Sequence, residues 1–163
     1  MAVGQDDFRD RATELWEKAV RLQVLGELDE AEALYRESLD LHPTAEAHTY
    51  LGWTMSMRGD IDAAIDQCHQ AISIDPDFGN PYNDIGAYLI QKGEIDEAIP
   101  WLERAKQAPR YEPRHFPYLN LGRIWASKGM ISRAIQEFQS AISIEPRDAR
   151  ATRMMSRLRS MLN

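Results

Sequence analysis

Apolar residues recur along this chain at helical spacing in short blocks, and glycine-centred breaks separate the blocks. Between residues 45 and 57, Ala47, Leu51 and Met55 stand four apart, which is one face of a helix. Beyond Arg58-Gly59 comes a second stripe of Ile61, Ala64, Ile65, Cys68, Ala71 and Ile72, again at spacings of a single helical face. This second helix is expected to stop before Pro76, because the residue ahead of a proline is driven out of helical backbone. Gly59 suits the end of the first helix, where a left-handed residue costs glycine nothing, and Asp60 is placed to cap the second. Glu27 and Glu94 hold the corresponding places and suit the role less well. The unit so read is two antiparallel helices joined at a glycine.

That unit returns along the chain. Gly26, Gly59, Gly93 and Gly129 are spaced by 33, 34 and 36 residues. Ala31, Ala64, Ala98 and Ala134 follow them by five, and Pro43, Pro76 and Pro146 by seventeen. Gly52, Gly86 and Gly122 precede them by seven, with Ala19 in that place in the first copy. Self-similarity at this period predicts a solenoid. The small residues let helix axes approach near the short end of the usual ~8–10 Å range. Leu51, Ile85 and Leu121 on the first helices, and Tyr35, Cys68, Leu102 and Phe138 on the second, are then expected to fill the space between. Cys68 reads as a small core residue and not as a reactive thiol.

Leu-Gly, then Tyr, Ala, an aromatic and Pro is the motif of the tetratricopeptide repeat, and this chain resembles that family over about 140 residues in four copies. The resemblance implies an all-α, right-handed α-solenoid forming a single domain over 1–163. The repeats are expected at 12–44, 45–78, 79–114 and 115–148, with a capping helix over 149–162. In that last helix Ala151, Met154, Met155, Leu158, Met161 and Leu162 form one apolar stripe, suited to covering the open end of the fourth repeat. Asp6 or Asp7 is placed to cap a first helix beginning near Phe8.

The resemblance also implies a protein-binding module, an adaptor or assembly scaffold, whose first helices line a concave groove that captures a partner peptide or helix. Helical register places Thr13, Trp16, Val20 and Gln23 on that face, then Glu46, Thr49, Tyr50, Trp53 and Met57. Asn80, Asn83, Asp84, Ala87 and Gln91 follow from the third repeat, and Phe116, Leu119, Asn120, Arg123 and Ser127 from the fourth. The candidate contact residues are Trp16, Tyr50, Trp53, Asn83, Asp84, Asn120 and Arg123. Trp53 directly follows Gly52, so the two cannot point the same way. It is either an aromatic anchor for the partner or packing for the adjacent repeat. Trp16 either joins the groove or packs under Tyr50. Asn83 and Asn120 resemble groove asparagines that hold a peptide backbone, since an amide both donates and accepts; otherwise they are solvated polar residues. A self-assembling scaffold, in which the groove or a solenoid end receives a second copy, is the alternative reading.

Members of the family that bind the acidic tail of cytosolic chaperones share a clamp of lysines, asparagines and an arginine. In the corresponding places stand Trp16, Val20, Tyr50, Asn80 and Asp84 or, one repeat on, Thr49, Trp53, Asp84, Phe116 and Asn120. Neither set supplies the cations a carboxylate needs, which argues against that partner.

Composition narrows the picture further. The chain carries a net charge of -7 with a pI near 5.1, which argues against a general nucleic-acid or anionic-membrane binder. The five arginines from Arg147 onward are the exception. Arg150, Arg153 and Arg157 share a face opposite the apolar stripe, which reads as a solvated cap face, a contact for an acidic protein or a nucleic-acid contact, with nucleic acid disfavoured. The stretch from Lys106 to Pro117 breaks the period with three prolines and offers Arg110, Tyr111, Arg114, His115 and Phe116. It is either a rigid spacer or a partner contact. A lone cysteine allows no internal disulfide. The short start from Met1 to Asp7 is no signal peptide, and no stretch is apolar enough for a membrane span, so the expectation is a cytoplasmic protein. His42, His48, His69 and His115 are scattered, Cys68 and His69 diverge on a helix, and no catalytic, cofactor or metal motif is present. No enzyme activity, cofactor or metal is expected.

Overall fold

The computed structural model describes residues 3–162; Met1 and Ala2 of the start read above, and Asn163, lie outside the described residues. Among these there are nine helices and no strand: α1 (Val3–Val24), α2 (Leu28–Leu41), α3 (Ala45–Met57), α4 (Ile61–Ile74), α5 (Asn80–Lys92), α6 (Ile95–Gln107), α7 (Phe116–Ser127), α8 (Ile131–Ile144) and α9 (Ala149–Ser160). The pairs α1/α2, α3/α4, α5/α6 and α7/α8 pack most extensively, and each second helix then meets the next first helix. The first helices also touch one another along the series α1, α3, α5, α7 and α9, whereas the second helices do not. An array whose first helices sit closer together than its second helices curves toward the first, so the concave side is theirs. The result is an all-α helical repeat.

The turns form as the glycine spacing predicts. Gly26, Gly59, Gly93 and Gly129 have φ of 84°, 87°, 84° and 72°, the left-handed region that a side chain disfavours. The Asp60 carboxylate accepts from the Ala63 backbone N–H at 3.3 Å, and Thr44 caps α3 by accepting from Ala47 N–H at 3.1 Å. Glu27 and Glu94 make no cap bond.

Both chain ends differ from expectation. The first helix starts at Val3 and not near Phe8, so Asp6 lies inside its first turn, where it complements the positive end of the helix dipole, and caps nothing. At the other end α9 finishes at Ser160, and Met161 and Leu162, beyond its last turn, are exposed; the apolar stripe ends at buried Leu158. Ala151, Met154, Met155 and Leu158 do join the core. No helix among the described residues is long and apolar enough to cross a membrane.

The core repeats with the sequence. Tyr35, Cys68, Leu102 and Phe138 are wholly buried, as are Ala31, Ala64, Ala98 and Ala134. Contact is tight at Gly122, where a Cβ would stand 2.5 Å from Phe138 Cε1. Gly122→Ala is therefore expected to cost about 1–3 kcal/mol through overpacking, read as a lower midpoint in urea at unchanged slope.

Candidate functional site: the concave groove

Two adjoining cavities lie along the first helices, and they share Ala87 and Phe116 as a common wall. One, of about 410 Å³, lies between α3, α5 and the segment leading into α7; the other, of about 370 Å³, lies between α5, α7 and α9.

The first cavity is aromatic with one acid. Tyr50 and Trp53 enter from α3, Asp84 and Tyr88 from α5, and Phe116 from α7. Trp53 is 41% exposed, so it is not the buried packing residue of the alternative reading. Its ring is tilted 52° to that of Tyr50, with centroids 6.3 Å apart. Trp16 lines neither cavity. It stacks on Tyr50 at 5.7 Å, and Tyr35 stacks on the same ring at 6.3 Å, so the two hold Tyr50 in place from within the array. Asp84 is half-buried, and burial raises its carboxyl to about 7, while the Asn83 amide, 3.5 Å away, pulls weakly in the other direction. Burial, then the charge of Asp84, likewise push the Tyr88 and Tyr111 hydroxyls up.

The remaining wall comes from chain outside the first helices. Phe78 precedes α5, and Tyr111 and Pro113 belong to the irregular stretch before α7. Backbone pairing brings them together: Arg110 N–H donates to Asp77 O at 3.1 Å, and Gly79 N–H donates to Arg110 O at 2.8 Å. Gly79 is required, since a Cβ there would come within 2.6 Å of Tyr111 Cβ. The cations of this stretch are engaged within the fold. Arg110 donates to Glu46 at 2.8 Å and to Asp75, and Arg114 donates to the Ala108 and Pro109 carbonyls. His115 is buried with Nε2 2.9 Å from Asp148. Spacer and groove wall are thus one element: its charges tie it down, and Tyr111 and Phe116 face the cavity.

The second cavity sets amides and arginines beside apolar walls of Phe116, Leu119, Phe138 and Met154. Asn83, Asn120 and Arg123 line it as the register implies, but the amides meet each other, Asn120 Nδ2 donating to Asn83 Oδ1 at 3.0 Å. Asn83 is buried and its oxygen already accepts this bond, so it is Asn120 that keeps an unspent acceptor. Arg150 and Arg153 of α9 also line the cavity while remaining exposed, and Arg157, equally exposed, does not. The reason is topological: α9 packs on α8 and reaches α7 just as α3 packs on α2 and reaches α1, the place of a further first helix. Arg150 is held by Asp148, whose carboxyl it keeps well below the usual range, and lies 4.9 Å over the Phe116 ring. Arg123 and Arg153 make no ion pair among the described residues.

Two register positions belong to the interior. Gln23 is buried, accepting from the Tyr35 hydroxyl at 2.6 Å, and Val20 packs against the core. Cys68 is fully buried, and burial holds its thiol well above the ordinary range. Among the described residues no three His, Cys, Asp or Glu side chains gather where a metal could be held.

Comparison with known proteins agrees with this architecture. Two profiles, each described as tetratricopeptide repeat, match residues 17–77 and residues 80–110 with 117–148. A search of the curated proteins finds no match. Among solved structures, the chain is similar to Pseudomonas aeruginosa pilF, with a TM-score of 0.85 and 21% identity over 95% of this chain and 69% of that one. It is similar to a thermophilic TPR protein of Thermus thermophilus, at TM-score 0.76 and 20% identity, covering 93% and 83%. It is also similar to YrrB, described as a TPR protein with an unusual peptide-binding site, at TM-score 0.65 and 22% identity, covering 90% and 75%. Identities this low carry the fold alone, but the two profiles take in most of the chain and all four glycine turns. The chain belongs to the tetratricopeptide repeat family, a protein-interaction fold.

Proposed function

We propose that this protein is a non-catalytic adaptor or assembly scaffold that captures an extended segment of a partner protein in its concave groove. One observation carries the reading: the two cavities meet at Ala87 and Phe116, giving a continuous groove across α3, α5, α7 and α9 with an exposed tryptophan at one end. A groove of that kind receives backbone and side chains together, and Trp is among the residues that dominate interface energies. The likeness to YrrB supports a peptide as the occupant.

Trp53→Ala tests the proposal. Truncating an anchor aromatic commonly costs about 2 kcal/mol, roughly thirtyfold in affinity. Partners are captured from the source cell on wild-type protein and identified by mass spectrometry, and the affinity of each is then measured for both forms. The variant should bind about thirtyfold more weakly at a nearly unchanged Tm. A folded variant that keeps full affinity for every partner would overturn the groove reading. Sedimentation over a range of concentrations separates capture of a partner from assembly of this chain with itself.

A further inference from the structure

We infer that the aromatic cavity accepts a basic side chain, a lysine or arginine of the bound segment, with Asp84 as its counter-ion. The inference rests on the groove reading above and specifies what the groove selects.

Asp84 is the only acid lining either cavity among the described residues. It makes no ion pair there, and its one side-chain hydrogen bond, from Asn83, is long at 3.5 Å. A half-buried carboxylate without a cation costs folding free energy, because burial removes its hydration and nothing replaces it. Asp84 thus contributes little to holding the fold together. Asn80 on the same wall is held by its own amide nitrogen, which donates to Glu112 O at 2.8 Å. A donor-poor carboxylate on the cavity wall calls for a group that only donates, which an ammonium or guanidinium is.

The walls suit the same occupant. Aromatic rings attract a cation through their quadrupole and cover the aliphatic stem of lysine or arginine. This wall already carries one such contact from outside, the Arg110 guanidinium lying 4.3 Å over the Phe78 ring. At about 410 Å³ the space falls within the ~300–1,000 Å³ of ordinary ligand pockets. An acidic side chain would meet Asp84 there with like charge. The neighbouring cavity has the opposite character, with Arg123, Arg150 and Arg153 on its walls. A bound segment is therefore oriented, its basic residue toward α3 and its acidic or carbonyl groups toward α9.

The probe is a phage-displayed library of random dodecapeptides selected on the whole chain, wild type and Asp84→Asn. The amide has the shape of the carboxyl and removes a buried charge, so the variant should fold, which a thermal melt checks. Wild type should select sequences with Lys or Arg at one fixed position. A synthetic peptide of that sequence should lose about tenfold in affinity when norleucine replaces the basic residue. Asp84→Asn should show a clearly smaller norleucine penalty than wild type, leaving only what the aromatic walls contribute. Wild-type selections without a basic position, or a norleucine penalty equal in both proteins, would overturn the inference and leave the groove reading standing. If wild type selects no peptide at all, both fall. The norleucine comparison on wild type alone decides the matter should Asp84→Asn not fold: an unchanged affinity overturns the inference.

Discussion

Removal of residues 149–163 should unfold the fourth repeat while leaving the first two intact. In a solenoid each unit rests on its neighbours, so loss of an end propagates inward from that end. The deletion strips α9 from α8 and uncovers the core that Ala151 and Leu158 close, together with the half-buried faces of Met154 and Met155. One fully buried leucine is worth about 1.5–3 kcal/mol, and the methionines and alanine bring the total to about 3–5 kcal/mol. Amide exchange within α8 should then accelerate by about a hundredfold or more, since each 1.4 kcal/mol is a factor of ten. Exchange in α2 and α4 should be unchanged. Undiminished protection over residues 131–145 would show that α9 is an appendage and not a cap. The same deletion removes Arg150 and Arg153 from the groove, so any partner seated at that end should be lost before stability is.

How much of this was legible in the sequence depends on whether a residue's position is set by the repeat. The four turn glycines were, because a left-handed residue is needed once per unit and glycine alone takes it freely. Trp53, Asp84 and Arg123 were as well, since helical register gives direction and their first helices share one orientation. Gln23 had the same register and was misread. Direction does not give reach, and the Tyr35 hydroxyl on the paired helix draws that amide into the interior. Phe78 was out of reach for a different reason, and Tyr111 was legible only as part of a stretch read as either spacer or contact. They lie outside any period, and what joins them is backbone pairing of Asp77 and Gly79 with Arg110, which has no sequence signature. A partial signal was present in Gly79, a glycine just ahead of a helix with no turn to make. For α9 the charge pattern put three arginines on one face, but only the recognition that the helix stands in for the first helix of a further repeat could have aimed Arg150 and Arg153 at the groove.

The second large effect is expected from Phe138→Ala, and its size follows from how the four repeats solve one packing problem. Nine residues after each turn glycine stand Tyr35, Cys68, Leu102 and Phe138, all wholly buried. In the third and fourth repeats the side chain of that residue occupies the space a first-helix Cβ would take: an added Cβ would lie 2.5 Å from Leu102 Cδ2 at Gly86 and 2.5 Å from Phe138 Cε1 at Gly122, whereas the first repeat accommodates Ala19 beside Tyr35. Where it is small, at Cys68, the backbone comes in instead, and a Cβ on Gly52 would meet Ala64 O at 2.9 Å. Phe138→Ala leaves a void against Gly122 that neighbouring helices can only partly close, at a cost of about 3–5 kcal/mol. Because the loss is confined to the last repeat, unfolding should cease to be two-state, with α7 to α9 melting ahead of the rest. The double variant distinguishes this account from a general weakening. In the Phe138→Ala background a methyl at position 122 enters empty space, so the Gly122→Ala penalty of about 1–3 kcal/mol should vanish or reverse, a coupling of at least about 1 kcal/mol. If the penalty is the same in both backgrounds, ring and glycine are not in the contact described, and the close approach of α7 to α8 has another cause.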